Sequence, residues 1–379
     1  MTDHCPACGA EGLERFYEVE RVPVHSCRLV STHEEALSFP TGELRLGLCR
    51  TCGFVTNVAH DASLQDYSVS YEETQAFSPH FRLFLQELAE RWVERYALRG
   101  KRVLEIGSGK GEFLLLLHEL GIGEGIGIDP GFAPERVEER PGLRFIRDLY
   151  SERYADLRAD AIVCRHTLEH IAPVADFMRL VRSTAGDEPV LFELPDVLRV
   201  LREGAFWDLY YEHVSYFSPG SLARLFRRVG LEPLVLELDY DDQYILIEAR
   251  AGGGEPLPLE EEPEAIAEAV AEFRRAYDTR VAEWRERLRS ARRPVIWGAG
   301  SKGVAFLTTI GAGAGIELAV DVNPYKQDRW LAGSGVHVVA PERLRQYRPD
   351  LVVAMNPVYV EEIGQALSEL AVDAPLAAV

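Results

Sequence analysis

Four of the six cysteines stand in two copies of one short pattern, "CPACG" starting at Cys5 and "CRTCG" starting at Cys49. The pairs Cys5/Cys8 and Cys49/Cys52 have the spacing of metal knuckles, and two knuckles together supply the four thiolates of a tetrahedral structural zinc site. A redox site of the thioredoxin type needs only one such pair, on a helix after a strand. The glycine after each second cysteine lets the turn take a positive φ and leaves backbone N–H groups for thiolate sulfur. Disulfides or free thiols are the competing reading, and the repeated spacing favours zinc. His25 and Cys27 lie between the knuckles without a partner at ligand spacing, so a surface imidazole and a buried thiol are expected. Cys164 lies in an apolar run and is expected in the core.

Two glycine loops carry the next chemistry. In "LEIGSGKGEFL" the glycines are Gly107, Gly109 and Gly111, with Glu105 two residues before the first. A dinucleotide site asks for Gly-x-Gly-x-x-Gly, where the pyrophosphate meets the first helix turn. Here the last glycine comes one place early and a carboxylate stands on the strand beside the loop. That carboxylate repels a pyrophosphate and suits a cationic, amino-acid-bearing cofactor, S-adenosylmethionine. Asp129, at the end of the next expected strand, is placed for ribose hydroxyls, and Asp148, after the third, is an adenine-side candidate. The loop, with Asp129 and the segment "DAIVCRHTLEHI", resembles class I methyltransferases, and His166 is counted with the cofactor side. A tight turn that binds nothing is the alternative for any single glycine loop.

The second loop, "VIWGAGSKGVAFL", has Gly298, Gly300 and Gly303 at true Gly-x-Gly-x-x-Gly spacing, with Lys302 inside it and Asp321 after the next strand. Helix-start N–H groups plus a lysine attract phosphate, and Lys326 and Arg329 add positive charge nearby. In a chain that also holds a methyl donor, a phosphorylated or nucleotide-linked substrate is the economical occupant. An NAD site and an empty turn remain the other readings.

These loops need strands and helices to aim them. From residue 84 the sequence alternates: "FLQELAERWVERYALRG" as a helix, "KRVLEIGSG" as a strand into the first loop, then β and α in turn to "PVLFELPDV". Apolar strands buried on both faces imply an open parallel sheet covered by helices. "SPGSLARLFRRVG" reads as a helix, and "LEPLVLELDYDDQYILIEA" as an antiparallel hairpin at the sheet edge. The Gly-, Pro- and Glu-rich stretch 250–264 reads as a linker, followed by a charge-laced helix over 264–290 and a second, smaller α/β unit. Before the central unit, "FYEVERVPVHSCRLV" and "GELRLGLC" read as strands of a small β module around the cysteines. The expected fold is therefore α/β in three parts: a zinc-binding β module over 1–62, a central Rossmann-like methyltransferase sheet over 63–253, and a smaller C-terminal Rossmann-like domain with its leading helix over 254–379.

That order, with "YYEHVSYFS" and "DVNPYKQDRWLAGSGVHVVAPERLRQYRPD", resembles the sugar C-methyltransferases of antibiotic deoxysugar biosynthesis over nearly the whole chain. The resemblance implies methylation of a nucleotide-linked 4-keto-6-deoxy sugar at carbon, with the substrate between the central and C-terminal domains and zinc purely structural. It also implies a base from the Tyr-x-Glu-His motif, here Tyr210, Glu212 and His213. The chemistry agrees: a carbon nucleophile must lose a proton before it can take a methyl group, and histidine is a suitable base. Glu212 either orients the imidazole or sits at a helix start, and Tyr210 can donate to the enolate oxygen. His213 is otherwise structural, with His166 and His170 as second candidates. Two departures touch the acceptor side. The stretch "YSVSYEETQAFSPHF" holds Tyr67 and Tyr71 at a spacing unlike the family's, with Tyr71 the substrate-side candidate, and "GAGSKG" and "AMNP" replace the family's usual loop forms.

Sixty-one acidic against 41 basic residues give a formal charge of −20, which repels nucleic acid in the absence of a basic patch. No apolar stretch reaches the roughly 18 residues of a membrane helix, and the start lacks the pattern of a signal peptide, so a cytoplasmic protein is expected. A monomer or a homodimer is compatible with the acidic surface. An O- or N-methyltransferase of another phosphorylated small molecule is the nearest rival, and a non-enzymatic cofactor sensor is a more distant one.

Overall fold

Val103, Leu104 and Ile106 are fully buried on one short strand, Arg102–Ile106, so both of its faces must be covered. In the computed structural model of the chain, which describes residues 4–65 and 71–379, this strand sits inside a seven-stranded sheet. The order is Leu231–Asp239, Tyr244–Ala251, Val190–Pro195, Ala161–Arg165, Arg102–Ile106, Glu124–Ile128, Leu143–Ile146. Tyr244–Ala251 is antiparallel to both neighbours, which is the expected edge hairpin, and the remaining pairings are parallel. The chain places Glu124–Ile128 on one side of Arg102–Ile106 and Ala161–Arg165 on the other. Arg102–Ile106 is thus a topological switch point, where open α/β sheets bind ligands beyond their strands' carboxyl ends.

The leading helix spans Pro79–Arg95 and so starts before residue 84, because Ser78 caps it by accepting from Phe81 N–H and Pro79 occupies the first turn. Its apolar side, including Phe84, Leu88 and Trp92, packs on the sheet with Phe113 and Leu246. Five parallel strands form the C-terminal sheet in the order His337–Val339, Leu318–Val320, Pro294–Trp297, Leu351–Ala354, Leu376–Ala378. Its switch point is Pro294–Trp297, directly before the second glycine loop. The edge strands there are three residues each, too short to show a period in sequence.

The cysteine module contributes Leu13–Pro23, Thr41–Cys49 and Val55–Asn57, all antiparallel. Its first strand stops at Pro23 rather than running to residue 30, and residues 25–27 turn into the interior. A fourth strand, Ser215–Tyr216, follows the central strand Val190–Pro195 in the chain and pairs with Val55–Asn57. The helix Pro219–Arg228 clasps the module from the same direction: Arg224 donates to the Cys52 carbonyl at 3.0 Å and Arg228 to the Cys8 carbonyl at 2.5 Å.

The expected linker is only partly loose. Glu260 holds Arg227 at 2.6 Å, and Glu261 accepts from Ser218 Oγ at 2.6 Å and Gly220 N–H at 2.9 Å. These carboxylates dock the linker's end on the helix Pro219–Arg228, so its acidic residues act as anchors. The long helix Pro263–Ser290 then lies in an apolar cluster that runs from Phe16 and Leu46 through Val200 and Phe206 to Phe273, Ile296 and Phe306. This helix joins the cysteine module and the C-terminal sheet to the segment 197–211 that follows the central strand Val190–Pro195, each large apolar side chain contributing about 1.5–3 kcal/mol on burial. Among the described residues no helix is long and apolar enough to cross a membrane.

Candidate active site

The loops after Arg102–Ile106 and after Pro294–Trp297 open into one cavity of about 470 Å³. On the central side Gly107 has φ 74°, and a Cβ there would overlap the Thr167 hydroxyl, so the tight turn requires glycine. Asp129 accepts from Gly109 N–H at 2.9 Å with one oxygen and from Gly131 N–H at 2.6 Å with the other. Each oxygen keeps a further lone pair. Glu105 is buried, one of its oxygens has no hydrogen-bond partner, and burial pushes its carboxyl up to about 8. Gly107, Gly109, Glu105, Asp129 and His166 all line the cavity, and so do the residues on both sides of Gly111. Asp148 does not line it; its carboxylate accepts from Tyr154 OH at 2.7 Å and pairs with Arg153.

His166 has φ 45°, a left-handed conformation uncommon for a non-glycine residue. Its ring lies 2.7 Å from Glu193 and 3.4 Å from Glu169. Burial works against its charge, but the two carboxylates outweigh burial and push it up to about 9.

On the C-terminal side Tyr71, Gly298, Gly300, Lys302 and Asp321 line the same cavity. Asp321 accepts from Ala299 N–H at 2.8 Å, repeating the bond that Asp129 makes with the first glycine loop. The positive charge expected here is largely paired. Lys302 is paired with Asp208, Lys326 lies 3.6 Å from Asp321, and Arg329 points to Ser31 Oγ at 2.7 Å. Ser301, at the helix start, accepts from Ser26 Oγ at 2.7 Å and touches Cys27 at 3.2 Å. Tyr67 lies outside the described residues.

Tyr210 and His213 lie on the cavity wall, their rings 4.3 Å apart. Burial, with His170 as the first charged neighbour, drives His213 well below the ordinary imidazole value. Glu212 neither orients that ring nor starts a helix. It is buried and accepts from His25 Nδ1 at 3.3 Å and Ser26 N–H at 3.2 Å, with a further short contact to Ser26 Oγ. Burial alone would raise its carboxyl, but the His25 hydrogen bond and the charge of His170 hold it below the usual range. His25 is therefore buried, 1% exposed, and not a surface imidazole. Cys27 and Cys164 are buried as expected.

Residues missed in sequence come mainly from the segment 71–78, which crosses between the two sheets. Glu72 accepts from Arg136 at 2.9 Å on the central side and from Asn323 Nδ2 at 2.9 Å on the C-terminal side. Glu73 reaches over the first glycine loop, 3.7 Å from Lys110. Burial pushes it up to about 7, and the oxygen that faces Lys110 has no hydrogen-bond partner among the described residues. The acidic pair in "YEET" was the available signal, hidden in a polar leader.

Two solved structures similar to the chain each overlap less than half of it. One is the Burkholderia thailandensis 1,6-didemethyltoxoflavin-N1-methyltransferase with bound S-adenosylhomocysteine, at 18% identity over 45% of this chain and 79% of that one, TM-score 0.37. Another is the magnesium protoporphyrin IX methyltransferase of Synechocystis PCC 6803, at 16% identity over 48% and 90%, TM-score 0.37. Residues 81–236 match the family of methyltransferase domains, and residues 260–374 match the C-methyltransferase C-terminal domain. A Streptomyces niveus protein named C-methyltransferase NovU is 26% identical, covering 95% of this chain and 91% of its own. The chain is a methyltransferase, and S-adenosylmethionine is the donor that its sequence leads one to expect.

The methyltransferase's cavity fits that donor. Glu105 brings to its central half a buried oxygen with no hydrogen-bond partner among the described residues, and Glu73 an oxygen that Lys110 faces at 3.7 Å; both suit the donor's cationic groups, and Asp129 retains acceptor capacity for hydroxyls. The four knuckle thiols fit zinc. Cys5 and Cys52 sulfurs are 3.7 Å apart, Cys8 and Cys49 sulfurs 3.6 Å, and all four lie within 4.8 Å of one another. A tetrahedron with Zn–S bonds of about 2.3 Å has edges near ~3.8 Å. An ion held by these residues would cross-link the two knuckles.

Proposed function

We propose that the methyltransferase alkylates a carbon beside a ketone in a nucleotide-linked 4-keto sugar, with His213 removing the proton that the methyl group replaces. One observation carries this reading: the switch points of two separate α/β sheets share a single cavity, and His213 stands on its wall. The central loop suits the donor, and the second glycine turn, with N–H groups at the start of Ser301–Ile310, suits an acceptor phosphate. The named relative's carbon specificity and the C-methyltransferase C-terminal domain support carbon as the reacting atom.

S-adenosylmethionine, when bound, supplies an electrophilic methyl group. A heteroatom acceptor needs little beyond placement against it, whereas a carbon must first become an enolate. A neutral His213 has a lone pair for that proton. The Tyr210 hydroxyl, kept protonated by burial first and by the charges of Asp208 and Glu212, donates to the oxygen on which charge develops. Glu73, Glu105, Asp129 and Glu169 make the donor half acidic, which favours the sulfonium cation over the product that has lost that charge.

Methyl-labelled donor offered with a panel of nucleoside-diphosphate 4-keto-6-deoxy sugars should place label on carbon. His213→Asn should lower that rate roughly 10²- to 10⁴-fold while donor affinity holds. A variant rate close to wild type would point to an oxygen or nitrogen acceptor and remove His213 as the base.

A further inference from the structure

Glu169, His170 and His213 stand together on the cavity wall, with one ligand atom of each within 4.8 Å of the others. Glu169 is 2% exposed, and among the described residues neither of its oxygens accepts a hydrogen bond; His166 Nδ1 lies 3.4 Å from one of them. A buried carboxylate in this state is costly until a cation completes it. His170 Nδ1 lies 2.9 Å from the Glu212 carbonyl oxygen, and a carbonyl only accepts, so Nδ1 carries a proton and Nε2 is the ring nitrogen that a metal ion would take. Metal-ligating histidines are anchored in the same way, through the other ring nitrogen. The His213 ring stands at 87° to that of His170, with centroids 4.9 Å apart. Two imidazole nitrogens and one carboxylate suit a divalent first-row transition metal and leave positions open, whereas calcium or magnesium would call for oxygen ligands.

We propose that Glu169, His170 and His213 bind one divalent transition-metal ion, and that the ion shuts off methyl transfer by occupying the His213 nitrogen. The inhibitory half rests on the reading of His213 as base; the binding half does not. The site differs from the cysteine quartet in its donors, which gives it a separate spectroscopic signature. Cobalt(II) on two imidazoles and a carboxylate shows weak visible d–d bands without the intense near-ultraviolet thiolate charge transfer of a cysteine site.

The test is a cobalt(II) titration of the full chain with its cysteine site already filled with zinc. One additional equivalent should bind with d–d bands alone, and methyl transfer should fall with the same midpoint. Glu169→Gln and His170→Asn should each weaken the binding roughly 10- to 100-fold, the range of loss seen when metal sites are disturbed. No saturable d–d signal, or a signal unchanged by both substitutions, would overturn the site. Saturable binding that leaves methyl transfer intact would overturn the inhibition and count against His213 as the base, while the metal site itself would stand.

Discussion

Glu105 and Glu73 are carboxyls that burial pushes up to about 8 and about 7, so in the free protein at neutral pH Glu105 largely, and Glu73 about half, keeps a proton that an exposed carboxylate would have lost. The donor's positive charge favours the ionised forms. Donor binding near pH 7 should therefore release protons, read by calorimetry in buffers of different ionisation enthalpy, and Glu105→Gln should reduce the release. Binding heats independent of buffer would contradict the assignment. The sign also fixes stability. Both folded-state values lie above the ordinary carboxylate value of 4.5, so between about pH 4.5 and 8 the folded protein holds more protons than the unfolded chain. The free protein should lose stability as pH rises through that window, and the donor should raise Tm more at pH 8 than at pH 6. At this scale the sequence was legible where chemistry is local: the glycine loops and the cysteine pairs declare themselves within a few residues. Glu212 was not legible, because its partner His25 lies 187 positions away and looked like a surface residue.

The two-residue strand Ser215–Tyr216 decides where His213 sits. Its backbone pairs with Val55–Asn57. The Tyr216 hydroxyl donates to the Tyr210 carbonyl at 2.8 Å and accepts from Tyr210 N–H at 3.1 Å, closing the loop that carries the histidine. Tyr216→Phe removes both bonds, at about 0.5–1.5 kcal/mol each. It should lower Tm and reduce kcat more than donor affinity, and a variant with unchanged Tm and kcat would contradict this role. A metal ion on the four thiols would be linked to the same element, since Val55 follows Cys52 by three residues and its strand pairs with Ser215–Tyr216. Stripping zinc with a chelator should reduce methyl transfer while the far-ultraviolet circular dichroism of the two α/β sheets persists. Full activity after complete metal removal would rule out the coupling. No periodicity announces a two-residue strand, which is why the module's fourth strand escaped sequence reading while its longer strands did not.

For the whole molecule, the succession of strand, glycine turn and helix made two α/β units readable, down to the edge hairpin, because each unit's signals are contiguous. How the units face each other was not readable. It is set by the apolar cluster around the helix Pro263–Ser290, by carboxylates at the end of a stretch that reads as a loose linker, and by Glu72 bridging Arg136 and Asn323. Those contacts turn two separate switch points toward one cavity. The measurement that tests this account most directly is hydrogen exchange on a nucleoside-diphosphate 4-keto-6-deoxy sugar in deuterated water, with S-adenosylhomocysteine in place of the donor, followed by mass spectrometry. The account predicts deuterium at the carbon beside the ketone with the wild-type enzyme and its loss in His213→Asn. Exchange that survives in His213→Asn at the wild-type rate would contradict it.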